Sequence, residues 1–318
     1  MNKLSIIILI SFLLLGCSNK ESNTIGISKI VSHPALDALE KGIQDEFNEK
    51  KIKVNFDLQN ANGDINTALS IAKKFKEQKL KIAVGIATPS AQALVKEMKD
   101  SQTVIVFSAV TDPVKAGLVS SLEKGEKNIT GISDMTPVEA QIKLIMQIKP
   151  IKKLGIVYSS HEDNAVALAK ITKEVCSKLG IQLIEATVTS SSEVKQATLS
   201  IINRVDAIYV STDNTVVSAL SSLTEVALKN KVPVISADPS SAKDTYVLAA
   251  LGFDYYKMGR ATGRLIIEIL EGKKPEDIPT RFLTDRKDLE FYLNLDVARR
   301  LNLTIPEELI NTADVVVK

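Results

Sequence analysis

Three landmarks recur in the same order in the two halves of this chain, and the duplication restricts its fold more than any other feature of the sequence. In the first half, Gly26-Ile27 leads through a β-rich run to Ser32-His33 and a helix-forming stretch from Ala35. In the second, Gly155-Ile156 leads to Ser160-His161 and a stretch from Ala165. Ala87-Thr88-Pro89-Ser90, followed by Ala91 to Leu94, has its counterpart in Ser211-Thr212-Asp213-Asn214, followed by Val217 to Leu220. Ser108 to Thr111 runs into Asp112-Pro113 as Ser236-Ala237 runs into Asp238-Pro239. The intervals agree: 62 and 24 residues separate Gly26, Thr88 and Asp112, against 57 and 26 for Gly155, Thr212 and Asp238. One match could arise by chance among strand–loop–helix units. Three in order predict two similar α/β lobes.

Within each half, short apolar runs alternate with longer amphipathic stretches. Thr24–Val31, Lys53–Leu58, Ile82–Ile86 and Val104–Phe107 read as strands in the first half. Leu154–Tyr158, Gln182–Ala186, Ala207–Val210 and Pro233–Ile235 do so in the second. Helices are predicted between them, among them Leu36–Asn48, Ile65–Glu77, Ala91–Lys99, Pro137–Gln147, Ala165–Leu179 and Val216–Lys229. Short buried runs alternating with helices specify parallel sheets covered on both faces, with any ligand at the strand C-termini. The expected fold class is α/β, two doubly wound parallel-sheet lobes joined by a multi-strand hinge. The first lobe is expected over 24–133 with a returning segment 253–282, the second over 134–252 with 283–318. Tyr255–Leu270 reads as a helix closed by Glu271-Gly272, and a strand Glu290–Asn294 with a helix near Asp296–Leu301 is expected to end the ordered part.

The first residues point to export. Lys3 precedes an apolar run from Leu4 to Leu15, too short to span a bilayer, which ends in Leu14-Leu15-Gly16-Cys17. This pattern resembles a bacterial lipobox, so residues 1–17 read as a signal peptide with a lipidated Cys17, and 18–23 as a tether to a membrane. Two or more acyl chains would hold the chain there durably. Cys176 is then the only other thiol, so no intramolecular disulfide is available and a packed core must supply stability. It lies mid-helix, where a structural thiol is expected. With 40 basic and 38 acidic side chains, the chain lacks the clustered positive field that nucleic acid requires.

The candidate chemistry gathers at the predicted strand ends. Thr88-Pro89-Ser90 stands where a strand hands over to a helix, so its hydroxyls and free N–H groups either cap the helix or hold an anion such as a carboxylate. Asp213-Asn214 is the equivalent element of the second half; Asp213 is a candidate for a ligand ammonium, with Asp238 beside it, unless both simply cap helices or turns. Asp112 shares that ambiguity. His33 and His161 lack the further ligands that a metal needs and read as polar rim residues. Ser32 and Asn164 belong to the same loops. Phe107, Tyr158, Tyr209 and Phe253 fall near strand ends, where they either stack on a ligand ring or fill the core. No G-x-S-x-G, G-x-x-x-x-G-K-[ST], H-E-x-x-H or post-strand G-x-G-x-x-G is present, which argues against an enzyme. The glycines of Met258 to Gly263 lie within a predicted helix and suit close packing.

Eight fragments in order give the chain a family likeness: SHPALDALEKGI (32–43), ATPSAQAL (87–94), FSAVTDPVKAGLV (107–119), ITGISD (129–134), HEDNAVAL (161–168), STDNTVVSAL (211–220), GFDYYKMGR (252–260) and LEGKKPEDIP (270–279). Over nearly the whole mature length it resembles the ABC-type substrate-binding proteins that include tryptophan- and tyrosine-binding lipoproteins. The resemblance implies a periplasmic-binding-protein fold of type I kind, a small molecule in the interlobe cleft, an ABC permease as partner, no cofactor, no metal, and a monomer on the outer face of a membrane. Candidate ligand contacts are then Ser32, Thr88, Pro89, Ser90, Ala109, Thr111, Asp112, Asn164, Asp213, Asn214, Asp238 and Phe253. An amino acid, possibly aromatic, is the expected ligand, with a nucleoside or sugar as the alternative. A regulator built on such lobes would need a DNA-binding helix pair where this chain carries its leader, and nothing in the sequence argues for an adhesin.

Overall fold

The computed structural model describes residues 23–283 and 285–318; the leader, Cys17 and the tether as far as Ser22 lie outside the described residues. Strands β1 (Thr24–Lys29), β2 (Asn55–Asn60), β3 (Ile82–Ile86), β4 (Val104–Ser108) and β5 (Ile129–Ser133) pair in parallel in the order β2-β1-β3-β4-β5. Helices α1 (Pro34–Glu49), α2 (Ile65–Glu77) and α3 (Thr88–Met98) are the crossovers. β1, β3 and β5 bury almost every side chain, as central strands covered on both faces must.

The chain leaves this lobe through α4 (Val138–Ile148) and builds the second from β6 (Lys153–Ser159), α5 (Asp163–Lys178), β7 (Gln182–Val188), α6 (Val194–Ile201), β8 (Ala207–Val210), α7 (Asn214–Val217), α8 (Leu220–Lys229), β9 (Val234–Ser236), α9 (Pro239–Ala242) and β10 (Ala249–Phe253). Its order, β7-β6-β8-β9-β10, repeats the first lobe strand for strand. The duplication in the sequence is therefore a duplication of topology. The long helix expected over Val216–Lys229 is two, because the chain turns at Ser218-Ala219 between α7 and α8.

Three passages join the lobes. The first follows β5. The second follows β10 into α10 (Tyr255–Leu270), which returns to pack on α1 in the first core. The third leads from β11 (Arg281–Phe282), paired with β5, to β12 (Leu289–Asn294), which pairs antiparallel with β10. α1 and α10 touch backbone to backbone: a Cβ on Gly259 would stand 2.1 Å from the Leu39 carbonyl oxygen, so that glycine serves close packing. α11 (Leu295–Arg300) does not end the order. α12 (Glu307–Thr312) and β13 (Val315–Val317) follow, and β13 pairs in parallel with β12. Three valines carry too little periodicity to signal a strand; the open edge of β12 supplies it.

Among the described residues no helix is long and apolar enough to cross a membrane. Cys176 is buried in the second core, and burial pushes its thiol up to about 11, so it is an inert packing residue.

Candidate functional site

The strand C-termini of both lobes face each other across a cleft. Its innermost part is walled from the first lobe by His33, Leu36, Ala109 and Thr111, and from the second by Asn164, Thr212, Asp213, Asn214 and Asp238. Asp134 and Tyr255, each one residue past or into a lobe crossing, close the base. A wider outer space holds Pro89, His161 and Glu162, and a small side space holds Thr88, Asp112 and Asn164. Asn164 and Asn214 connect these compartments.

Several carboxylates here are already engaged. Asp213 is fully buried and caps α7: one oxygen accepts from Val216 N–H (3.0 Å), the other from Ser159 N–H (2.6 Å). Burial, and then Glu162, push its carboxyl up, against the backbone donors. Glu162 accepts from Asn214 and Thr215. Asp134 accepts from Tyr255 Oη (2.8 Å) and Thr111 Oγ1 (3.2 Å); burial raises its carboxyl to about 6 despite those bonds. The Asp134–Tyr255 bond ties the first two lobe crossings together beneath the cleft.

Other groups have an atom to spare. Asp238 uses Oδ1 to cap α9 at Ser240 and Ser241, while its buried Oδ2 has no partner among the described residues. Asn164 donates through Nδ2 to the Thr212 carbonyl (2.9 Å) and leaves Oδ1 unpaired. Thr88 and Ser90 are buried with unpaired hydroxyls at the start of α3. Neither caps that helix; Ala87 holds the N-cap position at φ 71°, a left-handed conformation that is uncommon without glycine. The first N–H groups of α3 lack intrahelical acceptors by helix geometry, so this end suits a carboxylate. Each buried polar atom left unpaired costs about 1–3 kcal/mol, which a ligand group would recover.

The structure thus brings Ala109, Thr111, Asn164, Asp213, Asn214 and Asp238 to one cavity, with Thr88, Pro89 and Asp112 on adjoining spaces. Ser90 is enclosed behind them. Ser32 stands apart from them: it is exposed, donates to Asp37 Oδ2 (2.6 Å), and does not wall the cavity. His33 takes that place, buried rather than on a rim, because extended backbone at His33 turns successive side chains to opposite sides. Phe253 is buried in the first core and does not wall the cavity either. Phe107 lies there too, and Tyr209 is buried with its hydroxyl on Gln141 Oε1 (2.6 Å). Tyr158 packs at the edge of the second core. The aromatic on the cavity is Tyr255, along with Asp134, Leu36 and Val217, none of which the sequence patterns singled out as contacts. The N-cap signal of Asp254 before a helix was the one available clue to Tyr255.

The lobes touch across the cleft mouth. Gln92 on α3 donates to the Ala116 carbonyl in its own lobe (3.1 Å) and to Asp163 Oδ2 at the start of α5 (2.7 Å).

Two duplicate lobes joined by a three-passage hinge, with a polar cavity between them, have the architecture of a hinged binding protein. The family model for ABC transporter substrate binding proteins matches residues 24–317, and this chain belongs to that family. It is a substrate-binding protein and not an enzyme. It is 38% identical over 290 residues to a tyrosine-binding protein of Clostridioides difficile, covering 90% of this chain and 82% of that one. A Streptococcus pneumonia ABC domain in complex with L-Trp is 33% identical, with TM-score 0.88 over 93% of this chain and 100% of that one. A substrate binding protein with adhesive properties from Clostridium difficile, in its ligand-free, open form, is 35% identical, but its TM-score is 0.69 over 93% of this chain and 99% of that one. At similar identity and coverage, the chain as a whole superposes more closely on the L-Trp complex than on the ligand-free, open structure.

Proposed function

We propose that this protein is the lipid-anchored, extracytoplasmic receptor of an ABC importer and that it captures an aromatic amino acid. The observation that carries the reading is a pair of complementary features on the two sides of the cleft, in adjoining spaces that Asn164 connects. One lobe offers the start of α3 with the Thr88 and Ser90 hydroxyls, and the other offers the unpaired Asp238 Oδ2 and Asn164 Oδ1. A zwitterion fits this polarity: its carboxylate lies at α3 and its ammonium at Asp238. The ammonium role expected of Asp213 passes to Asp238, because both Asp213 oxygens are held by backbone donors. Leu36 and Val217 provide apolar walls for a side chain. The L-Trp-bound and tyrosine-binding relatives support an aromatic one.

The test is calorimetry against the twenty amino acids, with a nucleoside and a sugar as controls. Micromolar or tighter binding of tyrosine or tryptophan is expected. A response to the nucleoside or sugar alone would replace the ligand assignment and leave the receptor class intact.

Anchoring is tested separately. Cys17→Ser is expected to move the protein from the membrane to the soluble fraction with its melting temperature unchanged, since the lipobox precedes the folded lobes. Quantitative retention in membranes would rule out lipidation at Cys17.

A further inference from the structure

Resting on the amino-acid reading, we infer that His33 is a ligand-binding residue that works as a neutral imidazole and completes, with Asp238 and Asn164, a three-acceptor cage for the ligand's primary ammonium. His33 closes the first-lobe wall of the inner cavity, 8% exposed; neither ring nitrogen makes a well-formed hydrogen bond among the described residues, although the Asn214 side chain stands near enough to interact with the ring. The same cavity contains the unpaired Asp238 Oδ2 and Asn164 Oδ1, both from the second lobe. An ammonium has three N–H donors and needs three acceptors. The second lobe provides two of them and His33 the third, so the full cage exists only when the lobes are together. A neutral imidazole has one acceptor and one N–H donor, whereas an imidazolium has two donors and would repel the ammonium.

Burial lowers the proton affinity of His33, opposed by the Asn214 side chain and by the carboxylates of Asp238, Asp37 and Glu162. Those carboxylates reach it from its own helix α1 and from the α9 and α5 starts, and Asp134, Asp213 and the Tyr255 hydroxyl share the cavity. An unperturbed imidazole titrates at about 6.5, the reference for His33 when it is not enclosed between the lobes. Its bound-state value lies below that. Ligand capture therefore expels a proton whenever His33 is protonated in the free protein. Affinity is level above about pH 7.5 and falls as pH drops through the free value, approaching tenfold per unit.

Calorimetry with L-tyrosine and L-tryptophan from pH 5 to 8, repeated at pH 6 in buffers of different ionisation enthalpy, tests this on the wild-type protein. Net proton release on binding is expected at pH 6 and none at pH 8. His33→Asn and His33→Gln are expected to weaken binding about tenfold at pH 7.5 and to flatten the profile between pH 6 and 7. N-acetyl-L-tyrosine, which has no ammonium, is expected not to bind. Tight wild-type binding with no proton release at pH 6, an undiminished pH slope in both His33 variants, or N-acetyl-L-tyrosine binding as well as tyrosine would each overturn the cage. The absence of any amino-acid binding at pH 7.5 would instead overturn the ligand assignment on which it rests.

Discussion

Replacing Asp238 with Ala is expected to be the most damaging single change to binding, weakening an aromatic amino acid by about 2–5 kcal/mol, or roughly 30- to several-thousandfold. Closure strips water from the ammonium and from Asp238 together, and removing one charge leaves the other buried without its counterpart. The Asn variant separates charge from capping. Asp238→Asn keeps an oxygen for the Ser240 and Ser241 N–H groups while removing the charge from the position of Oδ2. Most of the affinity loss is therefore expected with a melting temperature close to wild type. Asp213→Asn should behave in the opposite sense. Both of its oxygens accept backbone N–H bonds, and an amide can accept through only one, so stability should fall more than affinity. Titration and thermal melting of both variants decide the matter. A larger loss of affinity in the Asp213 variant than in the Asp238 variant would return the ammonium to Asp213.

Gly252→Val is expected to lower stability by about 3 kcal/mol and the melting temperature by several degrees, the largest effect on folding from any change in the hinge. Gly252 lies in β10, just before the chain crosses back to the first lobe, and a Cβ there would stand 1.8 Å from the Ala237 carbonyl oxygen. That atom belongs to backbone which leads directly into Asp238, so it cannot move aside without disturbing the binding loop. The duplicate position repeats the arrangement: a Cβ on Gly131 of β5 would meet the Phe107 carbonyl oxygen at 2.1 Å. Each lobe thus brings a glycine of its crossing strand against the end of the neighbouring strand. Thermal melting followed by circular dichroism measures the loss. A Gly252→Val protein that melts within 2 °C of wild type would show that the crossing strand has room the packing does not provide.

The fold was legible because the signals that specify it are local. Ile82–Ile86 is a continuous apolar run and becomes a central strand with all five side chains buried. Ile65–Glu77 follows the Asp64 cap and becomes α2 over the same residues. The repeated order of landmarks carried the topology, since equivalent units pair in equivalent order. Elements whose pattern is short were missed. β13 is three valines that become a strand through the edge of β12, and α6 is eight residues behind a serine-rich turn.

The site divides along the same line. By itself the sequence determined which loops form the cleft, because Thr88, Asp112, Asn164, Asp213 and Asp238 all follow short apolar runs, and strand ends are where a doubly wound lobe binds. Only the tertiary structure decided the work each side chain does within those loops. Asp213 and Asp238 look alike in sequence, each standing before a helix. One has both oxygens filled because the Ser159 N–H of the neighbouring strand end comes within 2.6 Å, and the other keeps a free oxygen because its neighbours supply donors to only one. Ser32 and His33 were equally placed until the extended backbone turned one outward and the other into the cavity. Tyr255 reaches the cavity base only because the second lobe crossing ends beside the first, where Asp134 accepts its hydroxyl. Hydrogen-bond saturation is a property of what lies across a gap of about 3 Å, and residues far apart in the chain meet there only after both lobes have folded.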